Sequence, residues 1–320
     1  MIRPALLVLL ATACGRLSFD PQTIAGDGGT DRDADDRDAL DGAPACGGGW
    51  CVEPTPITDD LSNIFGFSST DLWTVGGGGS MLHRTPAGWV DVDSDTGANL
   101  IAVWGASPSD VWAAGAGGAT RYDGNAWVAT SVGGGSSIVT SLWGFSTSDI
   151  WAAGKLPNVV THWSGSAWTP ATPVGFAAEI QVVFGAAADD VWLAGGNGTI
   201  YRNTGGGFLP FSSPTGRTIY AMHGLAPNDL WAGASFGTTL HFDGTAWSVV
   251  PTPTTTDLGA ILAVSPTEVY AAGGQGTIIR WNGTAWSLVA TGSQRYLQGL
   301  WVTDGEVRAT GGIGTVLRRP

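Results

Sequence analysis

The sequence predicts an all-β fold, a seven-bladed β-propeller with four antiparallel strands per blade, and three observations predict it. An acid-headed block recurs seven times: Asp71-Leu72-Trp73, Asp110-Val111-Trp112, Asp149-Ile150-Trp151, Asp190-Val191-Trp192, Asp229-Leu230-Trp231, Glu268-Val269-Tyr270 and a degenerate Glu306-Val307-Arg308. A second marker precedes the blocks with the same period, at Phe65, Trp104, Trp143, Phe184, His223, Leu262 and Trp301. A third follows at Trp89, Trp127, Trp168, Phe208, Trp247 and Trp286, one member short, and Trp50 supplies the missing one. Gly49-Trp50-Cys51-Val52-Glu53-Pro54-Thr55-Pro56 matches Ala246-Trp247-Ser248-Val249-Val250-Pro251-Thr252-Pro253. The N-terminal strand around Trp50 is therefore expected to join the last blade, which closes the ring and leaves no open sheet edge at the seam.

Within a unit the elements follow in order. Strand A holds residues 64–67 and their equivalents, strand B follows the acid, strand C follows a glycine turn such as 76–79, and strand D begins with the third marker. The C-to-D link is repeatedly a two-residue hairpin signal, Asp123-Gly124, Ser164-Gly165, Asp243-Gly244 and Asn282-Gly283, suited to turns that need positive φ. All 16 tryptophans fall in the repeats. Each can bury about 150–250 Å², so the regular period points to packing between blades rather than to a ligand cage.

Three histidines, His83, His162 and His241, invite a metal hypothesis, but their repeat position holds Arg121, Arg202, Arg280 and Arg318 in other blades. The position asks for a basic donor. Centring the B–C hairpin on residue 77 sets Asp71 opposite His83, so each blade is expected to carry a cross-strand acid–base pair: Asp71 with His83, Asp190 with Arg202, Asp229 with His241, Glu268 with Arg280. His223 takes an aromatic position and reads as a packed substitute. No metal and no cofactor are expected. Nor does the sequence hold a Ser-His-Asp order, a nucleophile elbow, a phosphate loop or a Cys-His metal spacing, and it assigns no catalytic residue. What varies between blades are the B-to-C and D-to-A loops, which open on one face, here the top face. Blade 3 has Lys155-Leu156-Pro157-Asn158 and a long link through Phe176, blade 4 leads out to Arg217, and blade 5 carries Phe236. Binding sites usually lie on variable loops over a rigid scaffold, so Lys155, Asn158, Phe176, Arg217 and Phe236 are the candidate contact residues.

Composition bounds the partners. The chain has 320 residues and a net charge of −13, with 14 Lys and Arg in all, scattered rather than clustered. Phosphate backbones, and hence nucleic acids, are excluded as partners. Arg3, an apolar run at 5–10 and the small residues Ala11-Thr12-Ala13 before Cys14 make residues 1–13 an export signal, too short to span a bilayer. Residues 14–48, with eight Asp against three Arg, read as a solvated tether, and 49–320 as the propeller. The Asp-rich run 31–36 lacks the glycine and the closing glutamate of a calcium loop. In an oxidising compartment Cys46 and Cys51 form an even pair for a disulfide once Cys14 is set aside.

The ending Ala11-Thr12-Ala13-Cys14 resembles a bacterial lipobox, with Ala11 where Leu is usual; ordinary cleavage at an A-x-A site also fits. The resemblance implies lipidation of Cys14, and Gly15 after it resembles the outer-membrane form. The repeat unit in 104–127 and 223–247 resembles the propellers of exported bacterial lipoproteins, and it is similar to BNR-like and photosystem II assembly factor-like repeats, with a kelch-like Gly-Gly and downstream Trp. The sialidase Asp-box is not intact, so no sialidase residue carries over. The resemblance is specific for fold and weak for activity; the sequence as a whole reads as a monomeric, non-catalytic scaffold at the outer membrane, periplasmic or surface-facing, binding a protein or polysaccharide. The alternative is a hydrolase or lyase acting on extracellular glycan or peptide.

Overall fold

The computed structural model describes residues 46–47, 49–132, 138–173 and 178–319. They form seven antiparallel sheets arranged as blades 1–7, each with strands A to D in order. Blade 1 is typical: Leu61–Ser68, Asp71–Gly76, Met81–Thr85 and Gly88–Asp91. Blade 7 takes strands A to C from the C-terminus (Leu297–Thr303, Glu306–Gly311, Thr315–Arg319) and strand D from Trp50–Glu53, with Cys51 opposite Arg318 and Glu53 opposite Val316. A short outer strand, Cys46–Gly47, pairs with this closing strand, and Cys46 and Cys51 are joined by a disulfide across it. Among the described residues no helix is long and apolar enough to cross a membrane.

The hydrophobic core lies between blades, because each sheet has two faces and only a neighbouring blade can cover them. One cluster joins Phe184, Trp192 and Ile200 of blade 4 to Leu230, Leu240, Phe242 and Trp247 of blade 5. At six junctions the strand B aromatic meets the strand D aromatic of the next blade nearly edge-on. Trp73 meets Trp127 at 5.3 Å and 75°, Trp112 meets Trp168 at 5.6 Å and 87°, and Trp192 meets Trp247 at 5.7 Å and 87°. The series continues through Trp151 with Phe208, Trp231 with Trp286, and Tyr270 with Trp50 of the closing strand. Edge-to-face contacts of this kind add about 0.5–1.5 kcal/mol each beyond the area buried.

The strand A markers do a different job. Each is followed by glycine in blades 1–5, and a Cβ on Gly144 would lie 2.6 Å from the Trp104 ring of the preceding blade, while one on Gly185 would lie 2.8 Å from Trp143. At the seam, Trp301 Nε1 donates to the Gly66 carbonyl at 3.0 Å. The ring thus wedges an aromatic of one blade against the backbone of the next, and glycine leaves the room for it.

Candidate functional site

The lower half of each blade carries an acid–base pair, and all seven blades have one. Asp71–His83, Asp110–Arg121, Asp149–His162 and Asp190–Arg202 close at 2.7 Å, Asp229–His241 at 2.9 Å, Glu268–Arg280 at 3.0 Å and Glu306–Arg318 at 2.7 Å. The register corrects the expectation that acid and base stand directly opposite. Trp73 faces His83, so the hairpin centres on residue 78 and Asp71 reaches diagonally past the indole. The base lies on that indole: His83 stacks on Trp73 at 4.0 Å and 10°, and Arg202 lies 4.7 Å over Trp192. In blades 1 to 5 the base is thereby held by an acid and a ring together. Hydrogen bonds from Tyr270 and Arg280 outweigh burial and hold the Glu268 carboxyl below its ordinary value. His223 sits in the marker ring between Trp143, Phe184 and the Ala263 N–H, which its Nδ1 accepts at 3.2 Å; burial pulls its pKa down to about 4. Among the described residues no three His, Cys, Asp or Glu side chains gather as a metal site.

The top face is built differently. Strand B ends in a tight turn whose tip residue takes a left-handed conformation: Gly78, Asn197, Phe236, Gln275 and Ile313 have φ between 54° and 61°. The next residue is glycine, and it must be. A Cβ on Gly237 would fall 2.0 Å from the Thr254 carbonyl of the adjoining D-to-A loop. A side chain just before the following strand A then accepts from the tip N–H: Asn99 from Gly78 at 2.8 Å, Asp257 from Phe236 at 2.8 Å, and Asp60 from Ile313 at 2.9 Å. Thr252 Oγ1 donates to the Gly237 carbonyl, and Thr291 Oγ1 to that of Gly276 at 2.9 Å. Turn and loop are locked as one unit, so whatever the tips display is fixed in place.

Two of the five candidate contact residues come together here. The Arg217 guanidinium carbon lies 4.3 Å from the centre of the Phe236 ring, although the two lie on different loops, and Phe236 is 61% exposed. Asp257, which holds the Phe236 N–H, also bonds Tyr220; burial first, then the charge and hydrogen bond of Asp257, raise the Tyr220 pKa. Tyr296 is pushed up to about 12 by burial and by the charge of Asp257. Both phenols stay protonated at any physiological pH. Sequence reasoning missed Tyr220, Asp257 and Tyr296, because they come from the start or approach of strand A in three successive blades and no repeat signal joins them. The other candidates are placed otherwise. Asn158 donates to the Ala178 carbonyl at 2.6 Å and accepts the Ile180 N–H at 3.2 Å, and Lys155 lies 3.5 Å from Glu179, so both brace the link from blade 3 to blade 4. Phe176 lies outside the described residues, as do Cys14 and residues 15–45 of the tether.

This is a seven-bladed β-propeller with a regular lower face and an irregular, locked upper one. No protein-family model matches the chain, and no curated protein matches it. Solved structures do. YCF48 bound to D1 peptide is similar at TM-score 0.70 and 14% identity, over 85% of this chain and 96% of that one. YCF48 from Cyanidioschyzon merolae is similar at 0.68 and 16%, over 85% and 98%. A catalytically inactive virginiamycin B lyase from Staphylococcus aureus with quinupristin is similar at 0.73 and 14%, over 84% and 98%. At these identities the likeness is one of fold, and that fold serves a peptide-bound protein and a lyase alike.

Proposed function

We propose that the chain is a non-catalytic binding module of the cell envelope, working as a monomer. In this reading residues 1–13 direct export, lipid on Cys14 anchors the protein at the outer membrane, and the 14–48 tether carries a propeller whose top face holds a protein or polysaccharide partner. The observation that carries the binding role is the Phe236–Arg217 stack, an exposed aromatic and a cation fixed on locked loops of the irregular face. Pre-organised aromatic and arginine side chains are what interfaces use as anchors. The Cys46–Cys51 disulfide supports export, since such bonds persist in oxidising compartments. His83, His162 and His241 are each tied to a carboxylate and an indole face, which supports binding over hydrolase or lyase chemistry.

Immobilised full chain incubated with envelope extract tests the reading, beside a variant with Arg217→Gly and Phe236→Gly. A partner retained by the first and lost with the second supports it. Equal retention by both, or none by either, counts against it.

A further inference from the structure

We propose that the Arg217–Phe236 stack recognises an extended peptide segment of another protein that carries a carboxylate side chain next to an apolar one. The inference rests on the reading of the top face as the binding face and names the chemistry it selects.

Phe236 is the first argument. A bulky side chain at φ 56° occupies a backbone region that favours glycine; the equivalent tips are Gly78 and Asn197, which tolerate it, and Gln275 and Ile313, so Phe236 is the one aromatic ring among the five. The strain is not offset by burial, because the ring is 61% exposed. Residues held in sparsely populated backbone regions against stability cluster at ligand-contacting sites. The turn is fixed by Asp257 and by the close approach of Thr254 to Gly237, so the ring is presented in one orientation.

Arg217 is the second. In a chain of net charge −13, Lys155, Arg84, Arg121, Arg202, Arg280 and Arg318 all face carboxylates. Among the described residues the exposed Arg217 guanidinium contacts the Phe236 ring and forms no ion pair. Its N–H donors suit a carboxylate bidentately, and stacking on an aromatic face leaves its edge for that use. One planar cation beside one apolar platform matches a side-chain carboxylate adjoining an apolar residue. A phosphate would call for a cluster of donors, and a sugar ring would need the aromatic face that Arg217 covers.

A display library of random twelve-residue peptides, panned against the immobilised full chain, tests this. The expected winners carry Asp or Glu beside an apolar residue. A winner synthesised with blocked ends should lose about tenfold or more in affinity when its carboxylate is changed to the amide, and as much against Arg217→Gln, as removal of a charge-assisted hydrogen bond implies. Phe236→Gly and Phe236→Asn, which both suit the left-handed turn, should bind less tightly than the native chain while melting no lower. If the amide peptide and Arg217→Gln change affinity less than twofold while Phe236→Gly abolishes it, the acidic specificity is overturned and the top face stands. If neither variant matters, both readings fail. A library that yields no binder also overturns the peptide proposal.

Discussion

Glu53 and Arg308 are 255 positions apart, and their side chains meet at 3.3 Å across the closing seam of the ring. Arg308 stands where six other blades place Trp or Tyr, and its side chain is only 3% exposed. With no aromatic there, the next strand D residue lacks the edge-on partner found at the other junctions, and Trp89 Nε1 donates instead to Glu53 Oε2 at 3.0 Å. Arg318 reaches the same carboxylate at 3.1 Å, and Glu306 holds Arg308 at 2.8 Å. At the strand B to strand D contact the seam is keyed by charge where the remaining junctions are keyed by rings, while its strand A aromatics, Phe65 and Trp301, still meet at 4.5 Å.

Removing one partner of a buried ion pair leaves the other uncompensated, at about 3–5 kcal/mol. Glu53→Gln should therefore lower the stability to urea by about 2–3 kcal/mol, the smaller value because Glu306 still holds Arg308. The double variant Glu53→Val with Arg308→Trp, which restores the ring contact, should recover most of that loss. A Glu53→Gln midpoint equal to the native one would contradict an ionic seam.

The strand C bases are interchangeable if their work is structural. His83→Arg, His162→Arg and His241→Arg, singly or together, should change stability by less than about 0.5 kcal/mol per site and leave top-face binding intact, since blades 2, 4 and 6 already use Arg there. Loss of a bound metal or of a binding activity in the triple variant would show another role.

Phe236→Gly should raise the stability by about 1 kcal/mol, read as a higher melting temperature, because it relieves the left-handed strain of an exposed side chain. A lower melting temperature would mean that the ring supports the fold.

Gly144→Ala should cost about 1–3 kcal/mol, since its Cβ would lie 2.6 Å from the Trp104 ring in a core with no slack. Trp104→Leu in the same chain should lessen the clash, and thermal melts of the single and double variants read the coupling.

His223 has a pKa near 4 in the fold against an ordinary 6.5, so between those values the unfolded chain binds more protons than the folded one. Its contribution is complete above about pH 6.5 and is lost as pH falls towards 4. His223→Gln should flatten the stability profile in that window. Below it, Glu268 and Glu306 act in the same direction, because both carboxyls are held under their ordinary value; for Glu306, Arg318 and Arg308 outweigh the effect of burial. Glu268→Gln and Glu306→Gln should flatten the profile at pH below about 4.5 and leave the His223 window unchanged.

The blades and their closure were legible because their signals are local and repeat: Asp-x-Trp, the hairpin pairs, and Trp50 standing in for the missing strand D. The B–C register was read one residue short, because the turn at 77–79, left-handed at its tip Gly78, shifts the centre of the hairpin. The Arg308 seam left only a faint trace, a lost aromatic in Glu306-Val307-Arg308, and its compensation sits in Glu53 at the other end of the repeats. Phe236 and Arg217 were visible as departures from the repeat. Their meeting with Asp257, Tyr220 and Tyr296 was not, because packing of neighbouring blades, rather than any repeat spacing, brings those residues together. A turn tip preceding glycine and filled by neither Gly nor Asn, as at Phe236, Gln275 and Ile313, is the sequence signal that marks such a position, and Phe236 is the aromatic one among them.

A photo-crosslinking amino acid placed at Phe236 in the living cell, beside the same probe at Leu288 on the exposed outer rim, reports directly whether the top face meets a partner. A discrete adduct is expected at 236 that is absent at 288 and fades in the Arg217→Gln chain. No adduct at 236, or the same adducts at both positions, would contradict a binding site on the top face.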